Sequence, residues 1–179
     1  MPGVVCTSKF NADIEVDCLI IGGGAAGLTA ALAASETGAT VLIAERENRL
    51  SGSTALSSGL IPAAGTKAQN NQSIVDSKDI FFADIMAKNR NTADVDHVKI
   101  IVSQIPRTID WLSEKYDIAF HVLDNFLYPG HTNHRMHTVP EKTGVGLIHH
   151  LETAILMQDV TVATDVQVCL LYTSDAADE

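Results

Sequence analysis

Aromatic residues make up only 5% of this 179-residue chain, and its 12 basic residues are outnumbered by 22 acidic ones. So few aromatics suit α/β layer packing, built from Ala, Ile, Val and Leu, better than a β-sandwich core. The formal net charge of -10 repels phosphate backbones, which argues against nucleic acid as a partner. No run approaches the ~20 apolar residues of a membrane span. Cys6, Cys18 and Cys169 share no metal-ligand spacing and form no disulfide framework. Met1–Phe10 has one lysine and no apolar segment of the secretory type. Together these point to a reducing, cytoplasmic setting. What remains, 46% hydrophobic and 19% charged residues, is an ordinary globular composition with room for one sizeable core.

Three stretches follow along the chain: a mixed-polarity lead-in over 1–16, an α/β domain over 17–168, and a tail over 169–179. The tail, Cys169 to Glu179, resembles the in-frame translation of a transposase-type sequencing adapter, and is set aside from fold reasoning as non-native. Removing Asp175, Asp178 and Glu179 with it leaves the chain acidic, at -7. Within the domain, Cys18-Leu19-Ile20-Ile21 runs straight into three glycines, the signature of a buried parallel strand. Ala25–Ser35 is rich in strong helix formers and Gly38 marks its stop. Thr40–Ala44 is the next strand, which completes a unit of about 30 residues, the size of a βαβ crossover.

Ser51–Gly65 is small and polar, and its place after the second strand marks it as a ligand-hugging loop. Helical spacing returns over Ser77–Lys88, with Ile80, Phe81, Ile85 and Met86 on one side, and over Ala93–Tyr116, where Pro106 is expected to end or kink the helix. Phe120–Pro129 reads as extended or irregular, and Gly130–His137 as a polar, basic loop. A helix over Gly144–Met157 and a strand over Val160–Ala163 complete the domain. The expected fold is α/β, a Rossmann-like parallel sheet with helices on both faces.

The chemistry is concentrated in Gly22-x-Gly24-x-x-Gly27. In such a motif the first glycine allows the tight turn out of the strand. The second admits a pyrophosphate to the backbone, and the third packs the helix onto the strand. Ala31 extends that close packing by one turn. An anion placed there meets the free N–H groups and the positive dipole end of the helix. Glu45 lies 23 residues after Gly22, at the end of the second strand. That is the place of an acid that binds ribose hydroxyls and repels the 2′-phosphate of NADP. These residues alone leave both FAD and NAD open.

From Asp17 to Thr66 the chain resembles the N-terminus of the fumarate reductase/succinate dehydrogenase flavoprotein superfamily, most specifically in Ser51–Thr66, and more loosely on to Val168. The resemblance implies FAD, with Gly22, Gly24, Ala26 and Gly27 around the pyrophosphate, Glu45 on the ribose and Arg46 near the adenosine. It implies that Ser51, Gly52, Ser53, Thr54, Ser58, Gly59 and Leu60 line the flavin, and that the Val166 backbone meets adenine. Ser53 stands where the succinate dehydrogenase branch carries the histidine that bonds to the flavin, so non-covalent FAD is expected.

His131, His134 and His137 are spaced like metal ligands, but their loop holds no carboxylate or cysteine. It reads instead as solvated or substrate-facing, and in the related enzymes this stretch approaches the flavin cavity, which suggests that His134, Arg135 and His137 attract a carboxylate. Cys18 reads as core. The resemblance implies hydride transfer between the flavin and a C–C bond beside a carboxylate or ketone of a small-molecule substrate. The family's catalytic residues lie beyond Val168, so none is named and the chain as given is expected to be inactive. Two alternatives stand beside this reading: an NAD-dependent Rossmann dehydrogenase, and a flavin-binding subunit without catalysis of its own.

Overall fold

The computed structural model describes residues 14–169 and 171. These fall into two compact units, one drawn from Met1–Leu50 and Ile155–Glu179, the other from Ser51–Ala154. Most of the lead-in and of the tail lies outside the described residues; Cys169 and Leu171 are exposed.

The first unit is built on a three-stranded parallel sheet. β1 (Cys18–Ile21) and β6 (Val160–Ala163) flank β2 (Val41–Ala44), in the order β1-β2-β6. The register is regular, with Cys18 opposite Val41 and Val41 opposite Val160. α1 (Ala25–Ser35) forms the β1–β2 crossover and buries Leu28, Ala31 and Leu32 against Val41, Ile43 and Ala44. The predicted stop holds: after Ser35 the chain turns, and Gly38 donates its N–H to the Ser35 carbonyl with a φ of +79°. On β1 the side chains alternate, leaving Leu19 and Ile21 43% and 52% exposed. Among the described residues, then, α1 covers one face of β1 and the other is open.

The second unit has its own core. α4 (Lys78–Lys88) and α5 (Val95–Tyr116) pair through Phe81, Met86, Val98 and Val102, with Ala64 beside them and Phe82, Ile85, Ala93 and Ile105 partly buried. Ile80, expected on the buried side, is 40% exposed. Ser77 caps α4 by accepting the Ile80 N–H, and Asp94 caps α5 by accepting that of His97. Pro106 neither ends nor interrupts α5, which runs unbroken for 22 residues. Val98 and Val102 before it, and Ile109 and Leu112 after it, form one buried stripe. That burial offsets the cost of the lost backbone hydrogen bond.

The remaining short elements carry no sequence periodicity. α2 (Gly52–Ala55) and α3 (Lys67–Asn71) are short, and Thr66 and Gln69 close a reciprocal capping box on α3. A small antiparallel sheet joins β3 (Ile61–Pro62), β5 (Met136–Thr138) and β4 (His121–Val122), in the order β3-β5-β4. α6 (Gly144–Leu156) leads on to β6.

Candidate cofactor site

The glycine turn is built as its sequence predicts. Gly22 takes a φ of +100°, which favours glycine, and continues the ladder by donating its N–H to the Ala44 carbonyl at 2.9 Å. Gly24 is the N-cap of α1, extended at φ -82° and ψ 177°, and as a glycine it brings no side chain of its own to the cap. A glycine at this position leaves the helix start open to close approach by an anion, which the positive end of the helix dipole favours. A Cβ on Gly27 would lie 2.0 Å from the Gly22 carbonyl oxygen and 3.2 Å from Ile20 Cγ2, so only glycine allows this approach of helix to strand. Ala31 is fully buried one turn on, and Ala26 is exposed on the first turn.

Glu45 follows β2 and is 95% buried, with its own N–H donated to the Ala163 carbonyl. Its carboxylate accepts the Gly23 N–H at 2.6 Å through Oε2 and the Glu47 N–H at 2.9 Å through Oε1. Those two hydrogen bonds, Glu47's first, hold its pKa below the usual carboxylate range despite burial. The carboxylate is thus ionised and fixed, with lone pairs left for ribose hydroxyls, which fits a dinucleotide. Arg46 is exposed and pairs with Glu47 at 3.3 Å. Val166 donates its N–H to the Glu45 carbonyl and Asp165 donates to that of Glu47, which straps the segment after β6 to the acid.

Gly22, Gly24, Gly27, Glu45 and Val166 are therefore assembled within one unit. Gly23 stands at a position that the motif itself leaves open, yet a Cβ there would lie 2.2 Å from Leu50 Cδ2 and 3.2 Å from Glu45 Oε2. The run of three glycines was the available signal.

Ser51, Gly52, Ser53, Thr54, Ser58, Gly59 and Leu60 belong to the second unit. Gly52, Ser53 and Ser58 are exposed, Gly59 is buried with a φ of +65°, and Leu60 is half-buried. The segment leads into β3, whose continuation is held firmly. Ala63 donates to the Arg135 carbonyl, and Gln69 Oε1 accepts the Gly65 N–H at 2.6 Å.

The basic loop is not solvated where it was expected to meet substrate. Arg135 and His137 are fully buried, and His137 lies in β5. The Arg135 guanidinium makes a two-point contact with Asp76, through Nε at 2.8 Å and Nη2 at 3.1 Å, and donates through Nη1 to Asp84 at 2.6 Å. It also lies 4.7 Å from the Phe81 ring centroid. Burial pushes the Asp84 carboxyl up, but hydrogen bonds from the Thr132 N–H and hydroxyl and from Arg135 bring it below its usual value. Each of the three guanidinium nitrogens faces a carboxylate, so Arg135 has a structural partner set rather than an open donor for a substrate.

His137 Nδ1 faces the Arg135 carbonyl at 2.9 Å and so carries the proton, leaving Nε2 to accept from the Thr66 hydroxyl at 2.7 Å. His134 is half-buried, with Nδ1 3.3 Å from the Phe126 carbonyl. His131 packs against the rings of Phe81 and Tyr128. The three histidines thus have separate surroundings.

Comparison with known proteins agrees with this geometry. The chain is 31% identical over 131 residues to fumarate reductase (cytochrome) of Shewanella frigidimarina, covering 73% of this chain and 22% of that protein. It is 30% identical over 139 residues to urocanate reductase of Eggerthella lenta, covering 77% and 23%. This chain therefore spans about a quarter of the length of these curated relatives. Among solved structures, the open conformation of a flavocytochrome c3 fumarate reductase superposes with a TM-score of 0.80 at 26% identity, covering 89% of this chain and 28% of the other. A 3-ketosteroid-delta4-(5alpha)-dehydrogenase from Rhodococcus jostii gives 0.69 at 25%, covering 88% and 39%. The model of the FAD binding domain matches residues 17–177, and the chain belongs to that family, with FAD as its cofactor.

Proposed function

We propose that this chain holds non-covalent FAD for an oxidoreductase acting on a C–C bond beside a carboxylate or ketone of a small molecule. The observation that carries the reading is the Glu45 carboxylate, ionised and anchored on the Gly23 and Glu47 N–H groups beside the glycine turn that opens α1. In this reading Gly22, Gly24, Ala26 and Gly27 surround the pyrophosphate, Glu45 accepts from the ribose hydroxyls, and Arg46 lies toward the adenosine. With its N–H given to Glu45, Val166 offers adenine its carbonyl. Ser51, Gly52, Ser53, Thr54, Ser58, Gly59 and Leu60 line the flavin with side chains small enough to let backbone reach the ring.

When bound, the flavin supplies hydride acceptance and donation; the chain supplies binding and orientation. Ser53 has no imidazole to form a covalent link, which supports a cofactor released by denaturation. The relatives named for fumarate and urocanate support a small unsaturated carboxylate as the substrate class. Cys18, a free cysteine among the described residues, fits the reducing, cytoplasmic setting we infer.

A titration tests the nucleotide end. ADP should bind and compete with FAD. ADP carrying a 2′-phosphate should bind at least about tenfold more weakly, because Glu45 repels it. Equal affinity for the two nucleotides would remove Glu45 from the ribose.

A further inference from the structure

The turn that follows α2 rests on the first residue of α6 with no space for a side chain between them. A Cβ on Gly144 would lie 1.8 Å from the Thr54 carbonyl oxygen, 2.8 Å from that of Ser57 and 2.9 Å from Ser57 Oγ. The first two are backbone atoms and have no rotamer to escape into. Gly144 also donates its N–H to the Ser57 carbonyl at 3.0 Å. Gly59 answers the fit from the other side: at its φ of +65°, a Cβ would lie 2.6 Å from the Thr143 carbonyl oxygen.

Ser57 ties the turn together internally. Its hydroxyl donates to the Thr54 carbonyl at 2.7 Å and accepts the Gly59 N–H at 3.0 Å. The start of α6 is fixed in turn, because the Thr143 hydroxyl accepts the Gly146 N–H at 3.0 Å. Seat and turn are thus each held internally, and they meet through glycine alone.

We propose that Gly144 and Ser57 are positioning residues for the flavin: they set the place of the Thr54–Gly59 backbone without touching the cofactor. The proposal rests on the reading that Ser51–Leu60 lines the flavin. Its physical basis is that the missing methyl is what allows the approach. An alanine at 144 must push the turn back by about an ångström, since interiors of this density have no slack to absorb it. A shift of that size in a cofactor-lining backbone weakens binding and alters the field at the ring.

The test uses the full chain with Gly144→Ala, Ser57→Ala and, as a control at an exposed position of the same helix start, Val145→Ala. FAD affinity, ADP affinity and the visible circular dichroism of bound flavin are measured for each. Gly144→Ala should weaken FAD about tenfold or more, and Ser57→Ala about fivefold, the loss of a modest hydrogen bond. Both should change the flavin dichroism while ADP affinity stays within about twofold, and Val145→Ala should change nothing. Ser57→Ala adds no volume and lies at the surface, so it decides the question if Gly144→Ala does not fold. Unchanged FAD affinity and dichroism in folded Ser57→Ala or Gly144→Ala overturns the proposal while leaving the flavin reading intact. A wild-type chain that binds ADP but shows no flavin signal instead refutes the assignment of the segment, and this proposal with it.

Discussion

Glu45 serves the fold before it serves any nucleotide. Its two carboxylate hydrogen bonds join the glycine turn to the bend after β2. Glu45→Gln places an amide N–H against one backbone N–H, so ADP should bind about tenfold more weakly and stability should fall by about 1–3 kcal/mol. Calorimetry and urea melts check both. The pH dependence follows from the sign of the shift. Its folded pKa lies below the ordinary 4.5, so the contribution is complete above that value and is lost as pH falls through the folded pKa.

His137 behaves as a buried neutral base. Burial pushes its pKa below the ordinary 6.5, against hydrogen bonds to the Arg135 and Ile61 backbones and the charge of Asp110. Its contribution is therefore full above 6.5 and declines as pH falls from there toward the folded pKa. His137→Asn, which keeps a donor for the Arg135 carbonyl, should flatten the fall in urea midpoint between about pH 7 and pH 5. An equal fall in both proteins would place the titrating group elsewhere.

At the scale of elements, Arg135 connects the segment entering β5 to α4 and to the chain before it. Asp76 and Asp84 reach it across 59 and 51 residues of sequence. Arg135→Met leaves two buried carboxylates without their cation and should cost about 3–5 kcal/mol. Arg135→Lys should recover little of that, because an ammonium cannot reproduce the two-point contact with Asp76. Thermal melts of both variants check this. α5 gives the opposite case: Pro106→Ala restores a backbone hydrogen bond inside an intact helix and should raise stability, by up to about 3 kcal/mol.

These elements also show what the sequence makes legible. β1, α1, β2 and the glycine turn are readable because their signals are local: an apolar run, three glycines, helix formers, and an acid at a fixed distance. The β3-β5-β4 sheet is not, since strands of two and three residues carry no periodicity and Pro62 speaks against a strand. The burial of Arg135 is equally hidden. A loop written His-Arg-Met-His looks basic and wet until its two aspartates arrive from distant positions.

For the whole molecule, the central claim is that this chain binds FAD and does so without a covalent link. Leu19 and Ile21 stand partly bare on β1, so concentrated samples should associate through that face, and light scattering against concentration checks it. The measurement that tests the claim most directly is the absorption spectrum of the chain, expressed with FAD supplied, after desalting and again after acid precipitation. The account predicts a flavin spectrum that survives desalting, then a yellow acid supernatant over a colourless pellet. A pellet that keeps the colour would contradict non-covalent binding, and folded, colourless protein after desalting would contradict the cofactor reading itself.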